Sequence, residues 1–307
     1  MARFLPEVDD KMQIAFVGMG EAGSAIVRGW GPARAGNVRA YDVKSDDPAT
    51  AAEIAQRCAA LGIRNCLTLA EAVEGADLVF CTVTADRAVT AARAAAPEIG
   101  QGTVWLDLNS CAPSSKGVSA DVIEGAGGRY VDVAVMAPVH PKLNMVPCLI
   151  SGPHAAEMAP VLEALPMTVR VIAGPVGASS SIKMIRSVMV KGLEALTAEC
   201  VLAAVAAGVE DEVLGSLAKS HPGTEWPRQA AYNFERSIVH GERRASEMEE
   251  VAKTLEDLGL YADMTAGTIR WQRRLARSGV PAPAAPPEEG PVTVAQALLA
   301  MIRRTES

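Results

Sequence analysis

Three cations interrupt an apolar stretch with helical spacing, GPVGASSSIKMIRSVMVKGLEAL, at residues 174–196. In a helix Lys183 and Arg186 share a face, and Lys191 lies about 80° around the helix axis from Lys183. Burying an unpaired charge is costly, so a cationic stripe on an apolar helix needs a partner of opposite charge. The pattern predicts a local binding site for an anionic ligand.

A second chemical signature lies near the start of the chain, where a short apolar run leads into GMGEAGS and then into helical spacing. In this strand–GxGxxG–helix form, Gly18 permits a tight turn, Gly20 admits a pyrophosphate and Gly23 lets the helix pack on the strand. A glycine-rich turn without a ligand is the alternative. The predicted cofactor-binding residues of this turn are Gly18, Met19, Gly20, Glu21, Ala22 and Gly23.

Asp42 supports a nucleotide ligand. It ends a second apolar run, VRAYD, 19 residues after Gly23, where a carboxylate accepts hydrogen bonds from ribose hydroxyls. Because a carboxylate repels a 2′-phosphate, NAD is favoured over NADP. Lys44 softens that preference, and NADP remains open.

Apolar runs that alternate with helical patterns must position these residues. ADLVFCTV and GTVWLDLNS are two further strands that end in polar residues, with an alanine-rich helix between them. Repeated strand–helix units predict a doubly wound parallel sheet that binds its ligand at the carboxyl ends of the strands. Polar residues in such places also occur as helix caps. The further cofactor candidates are Val83, Thr84, Asn109 and Ser110.

The composition limits the classes of function. The 307 residues, 49% of them hydrophobic, suffice for two globular domains. A net charge of −7 argues against nucleic-acid and membrane-surface partners, which need a broad basic surface. The six cysteines are scattered, the four histidines are isolated and the first residues lack a signal-peptide pattern. We expect a cytoplasmic protein with reduced cysteines and no metal site.

The order of motifs resembles the β-hydroxyacid dehydrogenase superfamily, which includes 6-phosphogluconate and 3-hydroxyisobutyrate dehydrogenases. Four motifs carry the resemblance: GMGEAGS, DLNSCAP, YVDVAVMAP with PCLISG, and GPVGASSSIKMIRS. The resemblance implies an α/β fold with an N-terminal Rossmann domain, residues 1–177, and an all-helical C-terminal domain, residues 178–307. A long helix from about Ser180 to Gly208 would link them, with the preceding serines as N-caps.

The resemblance also implies that Lys183 is the general acid and base of an NAD(P)-dependent oxidoreductase acting on CH–OH. We expect hydride transfer between nicotinamide and a small anionic hydroxy acid or its carbonyl form. Arg186 and Lys191 disfavour the charged form of Lys183, as a general base requires. Two other functions remain open: an imine reductase, and a non-catalytic dinucleotide-binding sensor.

Departures from the family motifs fall in the substrate pocket. Arg186 and Ser187 stand where the family has Asn or His-Asn, and the carboxylate-binding Ser falls on Met136 or, in a second frame, on His140. Backbone N–H groups at Met136 and Ala137 remain candidates for anion binding. In the helical second half, His240 and Arg243 share a face with Arg244 and Glu247; a salt-bridged surface helix is the alternative. The predicted substrate residues are Met136, Ala137, His140, Arg186, Ser187, Lys191, His240 and Arg243.

The C-terminal part predicts two interactions. A proline-rich linker, Ser278 to Pro291, precedes the short apolar segment VTVAQALLAMIRR, which we expect to dock on the body of the protein or on another subunit. The small-residue turns AAVAAGV of the long helix allow close packing and predict a C2 homodimer.

Overall fold

The computed structural model describes residues 11–281 and 290–305. The chain divides into two compact units, and the division falls between Met184 and Ile185 in the sequence. The first unit is an α/β sheet structure and the second is helical, so the predicted fold class is confirmed. The sequence-based division into functional domains, residues 1–177 and 178–307, stays a prediction.

Within the described residues of the first unit, eight strands form one sheet in the order β3-β2-β1-β4-β5-β6-β7-β8. Strands β1, β4, β5 and β7 are buried along their whole length, as expected for a sheet covered on both faces. The strands are β1 (Ile14–Val17), β2 (Val38–Tyr41), β3 (Arg64–Asn65), β4 (Leu78–Cys81), β5 (Val104–Asp107), β6 (Arg129–Val135), β7 (Cys148–Ser151) and β8 (Val169–Val171).

The sheet departs from the predicted parallel arrangement at one pair. β7 runs antiparallel to β6, whereas the other neighbouring pairs are parallel. The connection between these two strands, residues 136–147, contains three prolines and one short 3-10 helix (Leu143–Met145). A parallel return usually runs through a crossover α-helix, which this connection lacks, and the strand comes back antiparallel.

Helices cover both faces of the sheet. Ile14 and Phe16 of β1 pack into one hydrophobic core, and Ala15 and Val17 of the same strand pack into the other, because successive side chains of a strand point to opposite faces. The helices of this unit are α1 (Glu21–Trp30), α2 (Pro32–Ala35), α3 (Pro48–Leu61), α4 (Leu69–Val73), α5 (Ala88–Ala95), α6 (Pro113–Gly125) and α7 (Ala155–Ala164).

The long helix begins two residues earlier than predicted and runs across the boundary into the second unit. The helices are α8 (Ala178–Ala207), α9 (Glu210–Ser220), α10 (Trp226–Asp257), α11 (Asp263–Ala276) and α12 (Pro291–Thr305). Within the described residues, no helix is long and apolar enough to cross a membrane.

The helices of the second unit share one hydrophobic core. Gly241 permits the close approach of α10 and α11, because a Cβ at this position would lie 2.4 Å from the carbonyl oxygen of Gln272. Val294 and Leu298 of α12 are buried in the same core as Phe234 of α10. The expected docking of the apolar C-terminal segment on the body of the protein is therefore confirmed. Most of the proline-rich linker before it, residues 282–289, lies outside the described residues.

Candidate active site

The glycine-rich turn between β1 and α1 has a steric reason for two of its glycines. Gly18 has φ +91°, and a Cβ there would lie 2.8 Å from the Thr82 carbonyl oxygen. At Gly23 a Cβ would lie 2.9 Å from the Gly18 carbonyl oxygen. The Thr82 hydroxyl donates to that same oxygen at 2.6 Å, and the Gly18 N–H donates to the Tyr41 carbonyl at 2.8 Å. The turn is thus held against both neighbouring strands.

Gly20 lies at the open side of this turn. It is the N-cap residue of α1 and provides no side-chain cap, and a Cβ at this position would meet nothing within 4 Å. The first N–H groups of a helix have no partner inside the helix and carry partial positive charge. A diphosphate fits such an uncapped N-terminus.

Asp42 directly follows β2 and braces the same turn. One carboxylate oxygen accepts the Met19 N–H at 2.8 Å and the other accepts the Lys44 N–H at 3.0 Å. Each oxygen keeps a second lone pair, so the carboxylate can still accept ribose hydroxyls. The Arg57 guanidinium donates to the Met19 carbonyl at 2.6 Å and places a cation beside this carboxylate-braced turn.

Val83 and Thr84 follow β4 at the carboxyl edge of the sheet. A methyl group of Val83 lies 3.0 Å from where a Cβ of Gly18 would be, so Val83 packs on the glycine turn. Thr84 is exposed and precedes a short 3-10 helix, which its hydroxyl does not cap. The alternative role as a side-chain cap therefore does not apply to Thr84.

Asn109 and Ser110 follow β5 at the same edge. The Asn109 backbone N–H and side-chain amide both donate to one carboxylate oxygen of Asp107, at 2.9 and 2.7 Å. The Asn109 side-chain oxygen is buried and has no hydrogen-bond partner within the described part of the chain. Buried polar atoms are almost always paired, so this orphaned acceptor fits a site that takes a polar ligand.

Lys183 meets this edge of the sheet from α8. Its Nζ donates to the Ser110 hydroxyl at 2.6 Å, and its side chain is half-buried. Burial raises the pKa of the nearby Cys148 thiol to about 12, although the positive charge of Lys183 acts in the opposite direction. Cys148 therefore stays protonated at neutral pH.

Side chains from two strands hold the start of α8. One carboxylate oxygen of Asp132 on β6 accepts the N–H groups of Gly177 and Ser180, at 3.1 and 3.0 Å. The Ser151 hydroxyl on β7 accepts the Ser179 N–H at 2.9 Å. The interpretation of the preceding serines as N-caps is wrong in this respect, because Ser179 and Ser180 lie inside the helix and the caps come from the sheet.

A buried ion cluster lies beneath the edge that carries Ser110 and Lys183. The Lys116 ammonium lies 2.9 Å from a carboxylate oxygen of Asp107 and 3.4 Å from one of Asp132, and all three side chains are buried. Burial lowers the pKa of Lys116, but the two carboxylates outweigh it and the pKa is raised above its usual value. The Tyr130 hydroxyl donates to Asp107 at 2.7 Å; its pKa is raised by burial and then by that carboxylate.

Three predicted substrate residues follow β6. The Met136 N–H donates to the Pro147 carbonyl at 2.9 Å, so this amide is paired within the fold, and its expected role in anion binding stays a prediction. Ala137 is half-buried, and His140 is exposed. A role of Ala137 or His140 in substrate binding stays a prediction.

Three further candidates lie on the part of α8 that belongs to the second unit. The Lys191 ammonium is buried and lies 2.9 Å from the Glu247 carboxylate, and its Nζ donates to the Ser187 hydroxyl at 3.3 Å. The charge of Lys191 is therefore balanced by α10. Arg186 is exposed one turn after Lys183.

On α10 the predicted cluster separates into two groups. Arg244 is buried and bonds to the Glu194 carboxylate through two nitrogens, and the Gln272 amide donates to the same carboxylate at 2.9 Å. His240 is half-buried and Arg243 is exposed. Part of this face therefore forms salt bridges between helices, and the substrate roles of His240 and Arg243 stay predictions.

Sequence reasoning missed the residues that support the site. Thr82 and Arg57 hold the glycine turn, and their letters are ordinary for the end of a strand and for a helix. Asp107 and Asp132 carried a signal, since each is a carboxylate inside an apolar strand and a buried carboxylate needs a partner. Lys116 carried none, because lysine in a helix is common on a surface.

Comparisons with known proteins extend over both units. Residues 13–174 match the family described as the NAD binding domain of 6-phosphogluconate dehydrogenase, and residues 204–275 match a domain of unknown function, DUF1932. A protein of Methanothermus fervidus named "Uncharacterized 28.5 kDa protein in 7S RNA 5′region" is 26% identical over 242 residues, which cover 79% of this chain and 90% of that protein.

Two solved structures cover almost the whole chain. The conserved hypothetical protein from Sinorhizobium meliloti 1021 is 35% identical with a TM-score of 0.74, over 95% of this chain and 97% of that one. The 3-hydroxyisobutyrate dehydrogenase of Mycobacterium tuberculosis with L-serine is 18% identical with a TM-score of 0.70, over 94% and 99% of the two chains. At that identity the second likeness concerns the fold alone.

Proposed function

The chain belongs to the family with the NAD-binding domain of 6-phosphogluconate dehydrogenase, and on that premise we propose that it is an NAD(P)-dependent oxidoreductase acting on CH–OH. Its substrate is a small anionic hydroxy acid or the carbonyl form of that acid. Lys183 is the general acid and base. The observation that carries the proposal is the hydrogen bond from Lys183 Nζ to the Ser110 hydroxyl at the carboxyl edge of the sheet.

The residues of the first unit fit a nicotinamide dinucleotide. The uncapped N-terminus of α1 beside Gly20 suits the diphosphate, Asp42 suits the adenine ribose, and the edge formed by Val83, Asn109 and Ser110 suits the nicotinamide half. The cofactor supplies the hydride chemistry when bound. We propose NAD as the preferred cofactor, because the Asp42 carboxylate repels a 2′-phosphate.

The contribution of the chain is binding, orientation and proton transfer. In the oxidation direction the neutral Lys183 Nζ takes the proton of the substrate hydroxyl, and in the reduction direction the ammonium returns it. The Ser110 hydroxyl accepts a hydrogen bond from Lys183 and thereby fixes where its Nζ lies. The proton transfer requires the substrate oxygen within about 3 Å of that Nζ.

The anionic character of the substrate is supported by local cations in an acidic chain of net charge −7. Lys191 contributes less than the sequence pattern predicts, because Glu247 balances its charge. Arg186, one turn after Lys183, is the member of the stripe that we propose for the substrate anion. His240 and Arg243 remain further candidates.

A turnover screen tests the proposal. The purified chain is mixed with NAD+ or NADP+ and a panel of small hydroxy acids, each paired with its uncharged methyl ester, and formation of reduced nicotinamide is followed by absorbance. We expect turnover of at least one acid, little turnover of its ester and turnover at least about a hundredfold slower with Lys183→Ala. In the reverse direction, reduction of imines but not of carbonyl acids would indicate an imine reductase. Cofactor binding without turnover of any compound would indicate a sensor.

The proposal includes a homodimer in the cytoplasm, where six free cysteines remain reduced. Ala203, Ala206 and Ala207 of the small-residue turns are exposed on α8, and earlier on the same helix Met189 and Leu196 are 63% and 51% exposed. Light scattering at micromolar concentration should report about twice the chain mass of 32.1 kDa. A particle of the single-chain mass would reject the dimer.

A further inference from the structure

Lys116 of α6 is a fully buried lysine in the first unit, with its side chain 0% exposed. Its ammonium donates to the Asp107 carbonyl at 2.6 Å and to the Asp107 carboxylate at 2.9 Å, and it lies 3.4 Å from the Asp132 carboxylate. Replacing a buried ion cluster with well-packed apolar residues is often neutral or stabilising. The role of this lysine therefore has to be sought in what it joins.

On one side the ammonium joins the turn after β5. Asp107 accepts the Asn109 N–H and side-chain amide on one oxygen and the Tyr130 hydroxyl on the other. The two bonds from Asn109 fix the backbone that leads directly into Ser110. The position of the Ser110 hydroxyl thus depends on where Asp107 is held.

On the other side the ammonium joins the start of α8. The oxygen of Asp132 that faces Lys116 also accepts the Ser180 hydroxyl at 2.6 Å. The second oxygen accepts the Gly177 and Ser180 N–H groups. Ser180 is one turn before Lys183 on the helix, so the position of Lys183 depends on where Asp132 is held.

The charge of Lys116 is what allows both carboxylates to act as acceptors at once. Without the ammonium, the two buried carboxylates would repel each other with no cation between them. Their separation would move the N–H groups that each of them holds. One cation therefore keeps the Ser110 turn and the Lys183 turn in a fixed relation.

We propose that Lys116 is a positioning residue for proton transfer: its buried ammonium ties Asp107 to Asp132 and thereby sets the Ser110–Lys183 hydrogen bond. This inference rests on the proposed function, in which Lys183 exchanges the proton. Lys116 itself is buried beneath the site and acts only through these two carboxylates.

The test measures the reactivity of the Lys183 Nζ in the full-length chain without cofactor. Wild type, Lys116→Met, Ser110→Ala and the double variant are treated with a limiting amount of acetic anhydride, and acetylation of Lys183 is quantified by peptide mass spectrometry. The exposed Lys142 is the internal reference for the reagent. Loss of the hydrogen bond in Ser110→Ala should accelerate acetylation by roughly threefold to tenfold, the range expected for one hydrogen bond.

The double variant separates positioning from a general structural role. If Lys116 acts through the Ser110–Lys183 contact, Lys116→Met gives a similar acceleration, and the double variant adds nothing to the larger single effect. Effects that multiply would show that the two residues act independently, and this would overturn the proposal. An unchanged rate of Lys183 acetylation in Lys116→Met would also overturn it.

Two control variants cover perturbation of the cluster and loss of stability. Tyr130→Phe removes one donor to Asp107 but leaves the ammonium, so acetylation of Lys183 should stay within about twofold of wild type. Arg244→Met breaks a buried ion pair in the second unit and should leave the Lys183 rate unchanged. An equal acceleration in Arg244→Met would attribute the effect to destabilisation and reject the proposal.

Folding of each variant is checked by circular dichroism. Lys116→Gln, which is neutral but keeps an N–H donor, is made alongside Lys116→Met, and a folded Lys116→Gln variant should give the same non-additive result. If neither variant folds, the ammonium is required for the fold itself and the positioning role is rejected.

The readout also separates this inference from the proposed function, because acetylation needs neither cofactor nor substrate. Non-additive acetylation in a chain whose turnover does not depend on Lys183 would support the positioning by Lys116 and reject the proposed proton transfer. Turnover that depends on Lys183, together with acetylation effects that multiply, would support the proposed proton transfer and reject the positioning by Lys116.

Discussion

The first unit and the second unit each contain a buried ion cluster, and the two clusters lie at different places along helices and strands. Asp107 and Asp132 accept backbone N–H groups at a strand end and at a helix start. Arg244 and Glu194 pair in the middle of two long helices, and the Glu194 carboxylate also accepts a hydrogen bond from a side-chain amide of a third helix. Charge at the end of an element fixes the backbone that leads into the candidate site, whereas charge in the middle of a helix fixes packing.

The contrast predicts that replacements in the first cluster change chemistry and that replacements in the second cluster change stability. The former cluster lies next to the Ser110–Lys183 contact. The latter includes Gln272 of α11, whose backbone lies against Gly241 of α10. Variants in the two units should therefore change different measured quantities.

The largest expected effect is that of Lys183→Ala on turnover. Loss of general acid–base catalysis should lower kcat by at least about two decades. Affinity for the cofactor should stay near that of wild type, because the proposed dinucleotide site at the glycine turn and Asp42 is left intact. Lys183→Arg should restore little, because a guanidinium stays protonated and cannot act as the base. Stopped-flow hydride transfer on a substrate from the screen, with calorimetry for NADH, measures both quantities.

Wild-type rates in Lys183→Ala would break the contrast. The proton would then be carried elsewhere, the cations of the α8 stripe would only bind an anion, and His240 would be the next residue to replace.

The second effect is that of Arg244→Met on stability. Removing the cation leaves Glu194 as an uncompensated buried charge, and breaking a buried pair lowers the free energy of unfolding by about 3–5 kcal/mol. The urea midpoint should fall while the cofactor dissociation constant of the folded protein stays unchanged. Glu194→Gln with Arg244→Met removes both charges and should recover part of the loss. A cofactor affinity that falls with Arg244→Met would contradict the division of roles.

The glycine motif and the apolar runs were enough to predict the fold class, because a buried parallel sheet has a direct signature in strand-length apolar segments. The antiparallel direction of β7 was not predicted. The only sign of it in the sequence is that residues 136–147 lack the pattern of a crossover helix, and a missing pattern is easily overlooked. Lys191 was predicted as a substrate residue because helical spacing shows cations on one helix. Glu247, which balances that charge, lies on a different helix, and a periodic pattern does not reveal such long-range pairs.

The supporting residues of the candidate site were the hardest to predict. The Ser110–Lys183 contact joins residues 73 positions apart. Ser110 was predicted from the polar end of an apolar strand and Lys183 from the family resemblance. Lys116 carried neither signal. Its burial depends on two carboxylates that strand order brings together, and only the folded sheet places β5 next to β6.

A third prediction concerns alkaline pH and the first unit. Burial raises the pKa of the Cys81 and Cys148 thiols to about 12, whereas the unfolded chain has ordinary thiols. The pKa of each thiol is higher in the folded chain, so the thiols ionise first in the unfolded chain. Their contribution to the free energy of unfolding is therefore fully present below about pH 9 and is lost as the pH rises toward about 12. Each thiol contributes a slope of about 1.4 kcal/mol per pH unit in this window.

Urea denaturation between neutral pH and alkaline pH measures this slope. Cys148→Ala should lower the free energy of unfolding at neutral pH, because packing is lost. It should also make the decline of that free energy with alkaline pH less steep, because one of the two thiols is removed. An unchanged slope in that variant would indicate that the Cys148 thiol ionises normally in the folded chain.

The smallest expected effect is a change of cofactor preference at Asp42. Asp42→Ala removes the acceptor for ribose hydroxyls, the repulsion of a 2′-phosphate and the two bonds that brace Met19 and Lys44. NAD binding should weaken by roughly one decade, in the range of one or two hydrogen bonds to a charged group, and the gap to NADP should narrow. Asp42→Asn keeps an acceptor for the brace but drops the charge, so it should narrow the gap with a smaller loss of NAD affinity. Titration of both variants with both cofactors measures the two contributions separately. A cofactor preference that is unchanged in both variants would mean that the end of β2 does not contact the adenine ribose. Another residue would then have to set the choice between NAD and NADP. Arg57, which lies beside the same turn, would be the first residue to replace.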